Sequence, residues 1–249
     1  MTSISNVPQI LARSIRGRRW ELGTPYSGWY DGAFVIPTFL LHLMSSKFAA
    51  VLVGDSDIER WPKDLYPDAA WHGTSGRSGA TLGECVPLVP DVVYQGLKAS
   101  ASRVFVIACA GENDISQSLS LDESCSALHQ FLSTVFATEQ HRIHLVFLGP
   151  KFEPWLNNDK ESRLDYIRMS RAFEKICIEH ALAGNISFLD CLVMFCGESG
   201  NSRGALLGGN AKAEAQYFDY DLLHLNRRGY GVWKQAIDKC IEGVTQSRA

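Results

Sequence analysis

The 249 residues carry no excess of either charge: 24 Lys and Arg stand against 27 Asp and Glu, for a net charge of -3. A generic nucleic-acid binder shows a basic excess, so nucleic acid is not an expected partner. No apolar run approaches the roughly 20 residues that a membrane-spanning helix needs. The most apolar stretch, Ala33 to Met44, is interrupted by Pro37 and His42, and no transmembrane segment is expected. The start of the chain shows no secretory apolar core. Arg13, Arg16, Arg18 and Arg19 precede the first acidic residue, Glu21. That pattern reads as a solvated basic arm, with a mitochondrial presequence as the weaker alternative. The cysteines, Cys85, Cys109, Cys125, Cys177, Cys191, Cys196 and Cys240, are odd in number and form no C-x-x-C. Reduced thiols in a cytoplasmic setting are the expectation, not a disulfide framework. Cys191 and Cys196 lack partners at zinc spacing, and no metal or cofactor is expected. There is no G-x-S-x-G elbow and no glycine loop closed by the lysine of a phosphate-binding P-loop.

What is present is an ordinary globular composition, 46% apolar and 20% charged, at a length suited to one large domain. Residues 1–30 are mixed and lack clear periodicity, and residues 1–45 read as an N-terminal extension packing on or near the domain; residues 46–249 read as a single α/β domain. Within it, short apolar runs alternate with longer amphipathic ones. Phe48–Val53, Arg103–Ala110, Ile143–Leu148 and Ile186–Asp190 are continuous or nearly continuous apolar runs, as strands covered on both faces require. A weaker strand covers Ala69 to His72. Tyr166, Met169, Phe173, Ile176, Cys177 and His180 keep helical spacing up to a stop at Gly184-Asn185. A last helix begins near Asn226, with Val232, Trp233, Ala236, Ile237, Cys240 and Ile241 as its apolar stripe. Alternation of this kind predicts a mostly parallel sheet with helices on both faces.

In such sheets, sites form beyond the carboxyl ends of the strands. After the first strand comes Gly54-Asp55-Ser56-Asp57, where a hydroxyl at a strand-to-helix turn can be exposed as a nucleophile. After the weak strand comes Gly73-Thr-Ser-Gly76-Arg-Ser-Gly79-Ala-Thr81, whose glycines permit close backbone approach. After the third comes Gly111-Glu112-Asn113-Asp114, where the Asn113 amide can donate to an oxyanion. Further on stands Asp221-Leu-Leu-His224, a carboxylate placed to bond one ring nitrogen and leave the other free. Taken singly, each is as well explained by a cap, a flexible loop, an Asx turn or a packing histidine.

The four together, in this order, resemble the GDSL or SGNH hydrolase superfamily. The resemblance spans about residues 48 to 242. It implies a flavodoxin-like three-layer α/β/α sandwich with a sheet of about five strands, and metal-free hydrolysis of a small-molecule or lipid ester, including thio- or O-acetyl esters. It implies Ser56 as nucleophile, His224 as base and Asp221 as its orienting acid. It implies an oxyanion hole of the Ser56 N–H, the Gly79 N–H and the Asn113 amide. Asp57 stands where the family usually has an aliphatic residue, and it is expected to face solvent from the first helical turn. Two other readings stay open. Asp55-Ser56-Asp57 is similar to the Asp-x-Asp nucleophile of magnesium-dependent phosphatases, although Glu59-Arg60 replaces their usual continuation. The third reading is a non-catalytic binding module on the same fold. The glycine-rich stretch Gly197 to Ala215, with Leu206 and Leu207, is expected to be a loop that shapes acyl selectivity.

Overall fold

The computed structural model describes residues 48–65, 71–100, 102–181, 184–196 and 211–246. The expected N-terminal extension, residues 1–45, lies outside them, as do residues 197–210 of the expected selectivity loop. Five strands form one parallel sheet: β1 (Phe48–Gly54), β2 (Trp71–Gly76), β3 (Arg103–Cys109), β4 (Ile143–Leu148) and β5 (Ile186–Leu189), in the order β2-β1-β3-β4-β5. This is the doubly wound order in which the chain turns back beside β1, leaving a crevice between the ends of β1 and β3.

The apolar runs form central strands because both of their faces are covered. Ala50, Leu52, Phe105, Ile107, Val146 and Leu148 belong to one apolar cluster, which includes Trp233, Ile237 and Ile241 of the last helix. Their neighbours along each strand, Val51, Val53, Val104, Val106, Leu145 and Phe147, belong to the other. That alternation is the period of two of a strand, applied to a sheet with helices on each side. The second cluster is completed by α3 (Val89–Ala99), α5 (Leu121–Val135) and much of α6 (Lys160–His180), all three counted after the one-turn helices α1 (Ser56–Glu59) and α2 (Leu82–Cys85) and after α4 (Glu112–Ser116). Phe147 sits at its centre, edge-on to Phe131 and Phe173 and stacked on Phe188.

Local sequence starts the longer helices. Ser120 and Glu123 form a reciprocal capping box at the start of α5, and Asp159 accepts the N–H groups of Glu161 and Ser162 at the start of α6. The last helix, α7 (Arg227–Gln246), comes directly after Asn226, whose Oδ1 accepts the N–H groups of Arg228 and Gly229. Trp233, Ile237 and Ile241 of the expected stripe are buried, and Val232, Ala236 and Cys240 are half-buried.

The weak strand is displaced: β2 runs from Trp71 to Gly76, so Gly73 to Gly76 pair with Val51 to Gly54 instead of forming a loop. As an edge strand it is held by main-chain bonds and stays half-exposed, so it has no apolar run to announce it. Its glycines are steric: a Cβ on Gly76 would lie 2.1 Å from the Glu59 nitrogen. His180, on the apolar helical stripe, is half-buried at the end of α6, where its ring packs against His129 with centroids 4.8 Å apart and Nε2 3.3 Å from Nδ1 of His129.

At the end of β1 the chain passes very close to β3. The Asp55 N–H donates to the Cys109 carbonyl at 3.1 Å, and a Cβ on Gly54 would lie 2.0 Å from that oxygen. Any side chain there must displace backbone. Gly54→Ala is therefore expected to cost about 2–5 kcal/mol, read as a lower urea midpoint at unchanged slope. An unchanged midpoint would show that the strand ends can separate freely.

Candidate active site

Ser56 opens α1 immediately after β1. The Asp55 carboxylate caps that helix, accepting the Asp57 N–H at 3.1 Å. The cap turns the Asp55 side chain inward, where it is buried, and leaves Ser56 half-buried at the surface of a cavity. His224 Nε2 lies 3.1 Å from Ser56 Oγ, and His224 Nδ1 lies 2.7 Å from Asp221 Oδ2. Three side chains separated by up to 168 positions thus form one hydrogen-bonded relay.

The segment carrying the last two is a tight turn. Asp221 Oδ1 accepts the N–H groups of Leu223 and His224, both at 3.0 Å. The Asp219 N–H donates to the His224 carbonyl at 2.8 Å. Leu222 takes a φ of 58°, a left-handed conformation that costs a non-glycine residue about 1–2 kcal/mol. The carboxylate bonds across the turn offset that strain. Partial burial works to raise the Asp221 pKa, but the bonds from the His224 N–H, the His224 ring and the Leu223 N–H outweigh it and hold the carboxyl well below its ordinary value. The group facing Nδ1 is therefore an anion.

Gly79 and Asn113 line the same cavity as Ser56 and His224. Gly79 lies in a turn closed by the Ala80 N–H on the Arg77 carbonyl, with φ +71°. Gln117 Nε2 donates to the Gly79 carbonyl at 2.9 Å. Asn113 Nδ2 donates to the Ala80 carbonyl at 3.0 Å, which occupies one of its two N–H groups and orients the amide. Asp114, fully buried, accepts the Leu82 N–H at 2.8 Å and so joins the two loops again. All five residues singled out from the sequence, Ser56, Gly79, Asn113, Asp221 and His224, are brought to one place: four line the cavity, and Asp221 stands behind His224.

Asp57 does not face solvent. It is 1% exposed, and its Oδ2 accepts from Lys151 Nζ at 2.7 Å. The first turn of α1 packs inward here, so the macrodipole argument for an outward carboxylate is overruled by a buried lysine. Lys151 also bonds Glu112 and, at 2.9 Å, Glu153. Sequence reasoning misses Lys151, Glu153, Trp155 and Tyr166, which line the cavity with Arg60. A signal was available: Lys151 and Glu153 come just after the carboxyl end of β4, where the same rule that found the other site residues applies.

Asp55, Asp57 and Cys109 offer ligand atoms within 4.8 Å of one another, the one such group among the described residues. The Lys151 ammonium already supplies positive charge to that group through Asp57. Burial, followed by the nearby Asp57 charge, pushes the Asp55 carboxyl up to about 8. Burial likewise raises Glu112 well above the carboxylate range, against the pull of Lys151. A carboxyl whose pKa is higher folded than unfolded stabilises the fold in full below its unfolded value, near 3.9. It loses that contribution as pH rises through about 8. Asp55→Asn keeps the acceptor for the Asp57 N–H and removes the titration. Unfolding free energy measured by urea from pH 5 to 9 should therefore fall less for the variant than for the parent, with a difference in slope of at most about 1.4 kcal/mol per pH unit. Parallel curves would show that Asp55 does not titrate in this range.

No family model and no curated protein matches this chain. Solved structures do. A GDSL-like lipase from Bacteroides thetaiotaomicron matches with a TM-score of 0.56 at 19% identity, over 80% of this chain and 89% of that one. A lipase/acylhydrolase from Enterococcus faecalis matches with a TM-score of 0.55 at 14% identity, over 79% and 96%. A psychrotrophic esterase from a Pseudoalteromonas species matches with a TM-score of 0.53 at 14% identity, over 80% and 98%. The chain has the three-layer α/β/α fold of the GDSL-like lipases, acylhydrolases and esterases.

Proposed function

We propose that this protein is a serine esterase of the GDSL or SGNH type. The observation that carries the reading is the relay Asp221 Oδ2, His224 Nδ1, His224 Nε2, Ser56 Oγ, with hydrogen-bond distances at both links. His224 takes the Ser56 proton as Oγ attacks the ester carbonyl carbon, then returns it to the departing alkoxide. Water, deprotonated by the same nitrogen, cleaves the acyl-enzyme. Asp221 holds Nδ1–H and stabilises the imidazolium that forms in each half. The Ser56 and Gly79 N–H groups and the second N–H of Asn113 receive the oxyanion, each donor contributing about 3–4 kcal/mol to the transition state.

The phosphatase reading has less support. Asp55 is turned inward as a helix cap and Asp57 is bound to Lys151, so neither carboxylate is presented as a nucleophile. The described part of the cavity holds about 280 Å³ and takes its large apolar surface only from Trp155, Tyr166 and Leu223. That favours a short acyl group over a long chain. The cysteines are free thiols, in keeping with a reducing, cytoplasmic setting. No helix among the described residues is long and apolar enough to cross a membrane.

Ser56→Ala should abolish stoichiometric labelling by a fluorophosphonate and nearly all hydrolysis of p-nitrophenyl acetate. Retained labelling would assign the chemistry to another serine. Asp221→Asn should fold normally and lose about 10³–10⁴-fold in kcat, because the amide favours the wrong imidazole tautomer; a fully active variant would remove Asp221 from the relay. Across p-nitrophenyl esters of short to medium acyl length, acetate to octanoate, kcat/KM should fall with chain length. A rise would overturn the short-acyl reading.

A further inference from the structure

Ester hydrolysis by the Ser56 relay makes no direct use of the buried ammonium in the site. Lys151 is 1% exposed and is surrounded by carboxylates: Asp57, at 1%, Glu153, at 4%, and Glu112, at 9%. The two oxygens of Glu112 are both used, Oε1 accepting the Lys151 N–H at 2.6 Å and Oε2 the ammonium. Glu153 Oε2 accepts from Trp155 Nε1 at 2.6 Å and from the Tyr166 hydroxyl at 3.2 Å. On the other side, the Tyr230 hydroxyl donates to the Asp57 carbonyl at 2.8 Å. A cluster like this is a weak device for stability, since apolar residues of the same volume usually do as well or better. Its connections suggest another role. Asp57 directly follows the nucleophile Ser56, and Glu112 directly precedes Asn113. The ammonium is thus a single charged bridge between two of the three turns that carry the oxyanion donors, those of Ser56 and Asn113.

We propose that Lys151 is a positioning residue for ester hydrolysis: by bonding Asp57 and Glu112 together it holds the Ser56 turn and the Asn113 turn at the spacing the oxyanion requires. The same ammonium offsets carboxylate charge close to where negative charge develops. Catalysis of this kind depends on donors fixed before the reaction, so a loosened Asn113 forfeits transition-state binding while leaving substrate binding nearly intact. The bridge reaches the reaction through Asn113, and this separates it from a residue that only stabilises the fold.

The inference rests on the esterase reading, and a double-mutant cycle tests the two separately. Lys151→Met should lower kcat for p-nitrophenyl acetate about 100-fold with KM within about threefold. Asn113→Ala should lower kcat about 10²–10³-fold. With Asn113 already gone, adding Lys151→Met should cost no more than about threefold, because the group it positions is absent. A native kcat in Lys151→Met, a loss confined to KM, or losses that multiply in full would overturn the proposal. Should Lys151→Met fail to fold, Glu112→Gln carries the same cycle. It keeps an acceptor for the Lys151 N–H and the side-chain shape while putting an NH2 donor where Oε2 accepts from the ammonium. About a tenfold loss is expected alone and less than about twofold beside Asn113→Ala; full multiplication again overturns the proposal. If Ser56→Ala stays active, or Asn113→Ala has native kcat, the esterase reading itself fails. If both behave as expected and the cycle is multiplicative, only the role of Lys151 fails.

Discussion

The site depends on the parallel pairing of β1 with β3. In that register Gly54 lies beside Cys109, and the Asp55 N–H continues the ladder onto the Cys109 carbonyl. The two strands therefore leave the sheet side by side, one into the Ser56 turn and the other into the Gly111–Asn113 turn. Glycine is required where they touch, because a side chain at Gly54 meets backbone. Gly111 closes the second turn with φ +125°, and a Cβ there would lie 2.8 Å from the Phe173 ring. The closeness of Ser56 and Asn113 is thus a property of the sheet, and the loops refine it.

Much of this is legible in the residues. The runs Phe48–Val53, Arg103–Ala110 and Ile143–Leu148 are so uniformly apolar that only strands covered on both sides suit them, and the helix-spaced apolar stripes supply the covering. Once the strands are placed, the segments just beyond their carboxyl ends yield Ser56 and Asn113, and the turn before the last helix yields Asp221 and His224. The features that stay hidden are those that pattern cannot express. β2 is an edge strand held by its backbone, and Gly73-Thr-Ser-Gly76 carries no side-chain signal of its pairing. The inward turn of Asp57 depends on a cation 94 positions away, and a charged residue in a first helical turn looks solvent-facing until its partner is known. Lys151 and Glu153 stand at a strand end, where site residues are expected, but nothing in a single lysine says that it is buried.

The two kinds of charge in the molecule should also behave differently in salt. Arg227 and Asp64 pair on an exposed surface, where physiological screening over about 8 Å is enough to weaken them. Lys151 and its carboxylates are almost wholly buried, so counterions reach them poorly. The internal wiring of the site is insulated from the medium, while the strap bearing His224 is tied down partly by contacts that are not.

The relay also joins residues that are made far apart in time. Ser56 and His224 are separated by 168 positions, and the Tyr230 hydroxyl that holds the Asp57 carbonyl lies 173 positions away from it. A ribosome-bound chain can pair β1 with β3 long before it possesses the imidazole that bonds the Ser56 hydroxyl. Until synthesis has passed Tyr230, the hydroxyl is an ordinary alcohol in a half-built crevice. The contact between Ser56 and His224 arrives with the last layer of the sandwich, so on the proposed reading a truncated or misassembled product carries the serine without its reactivity.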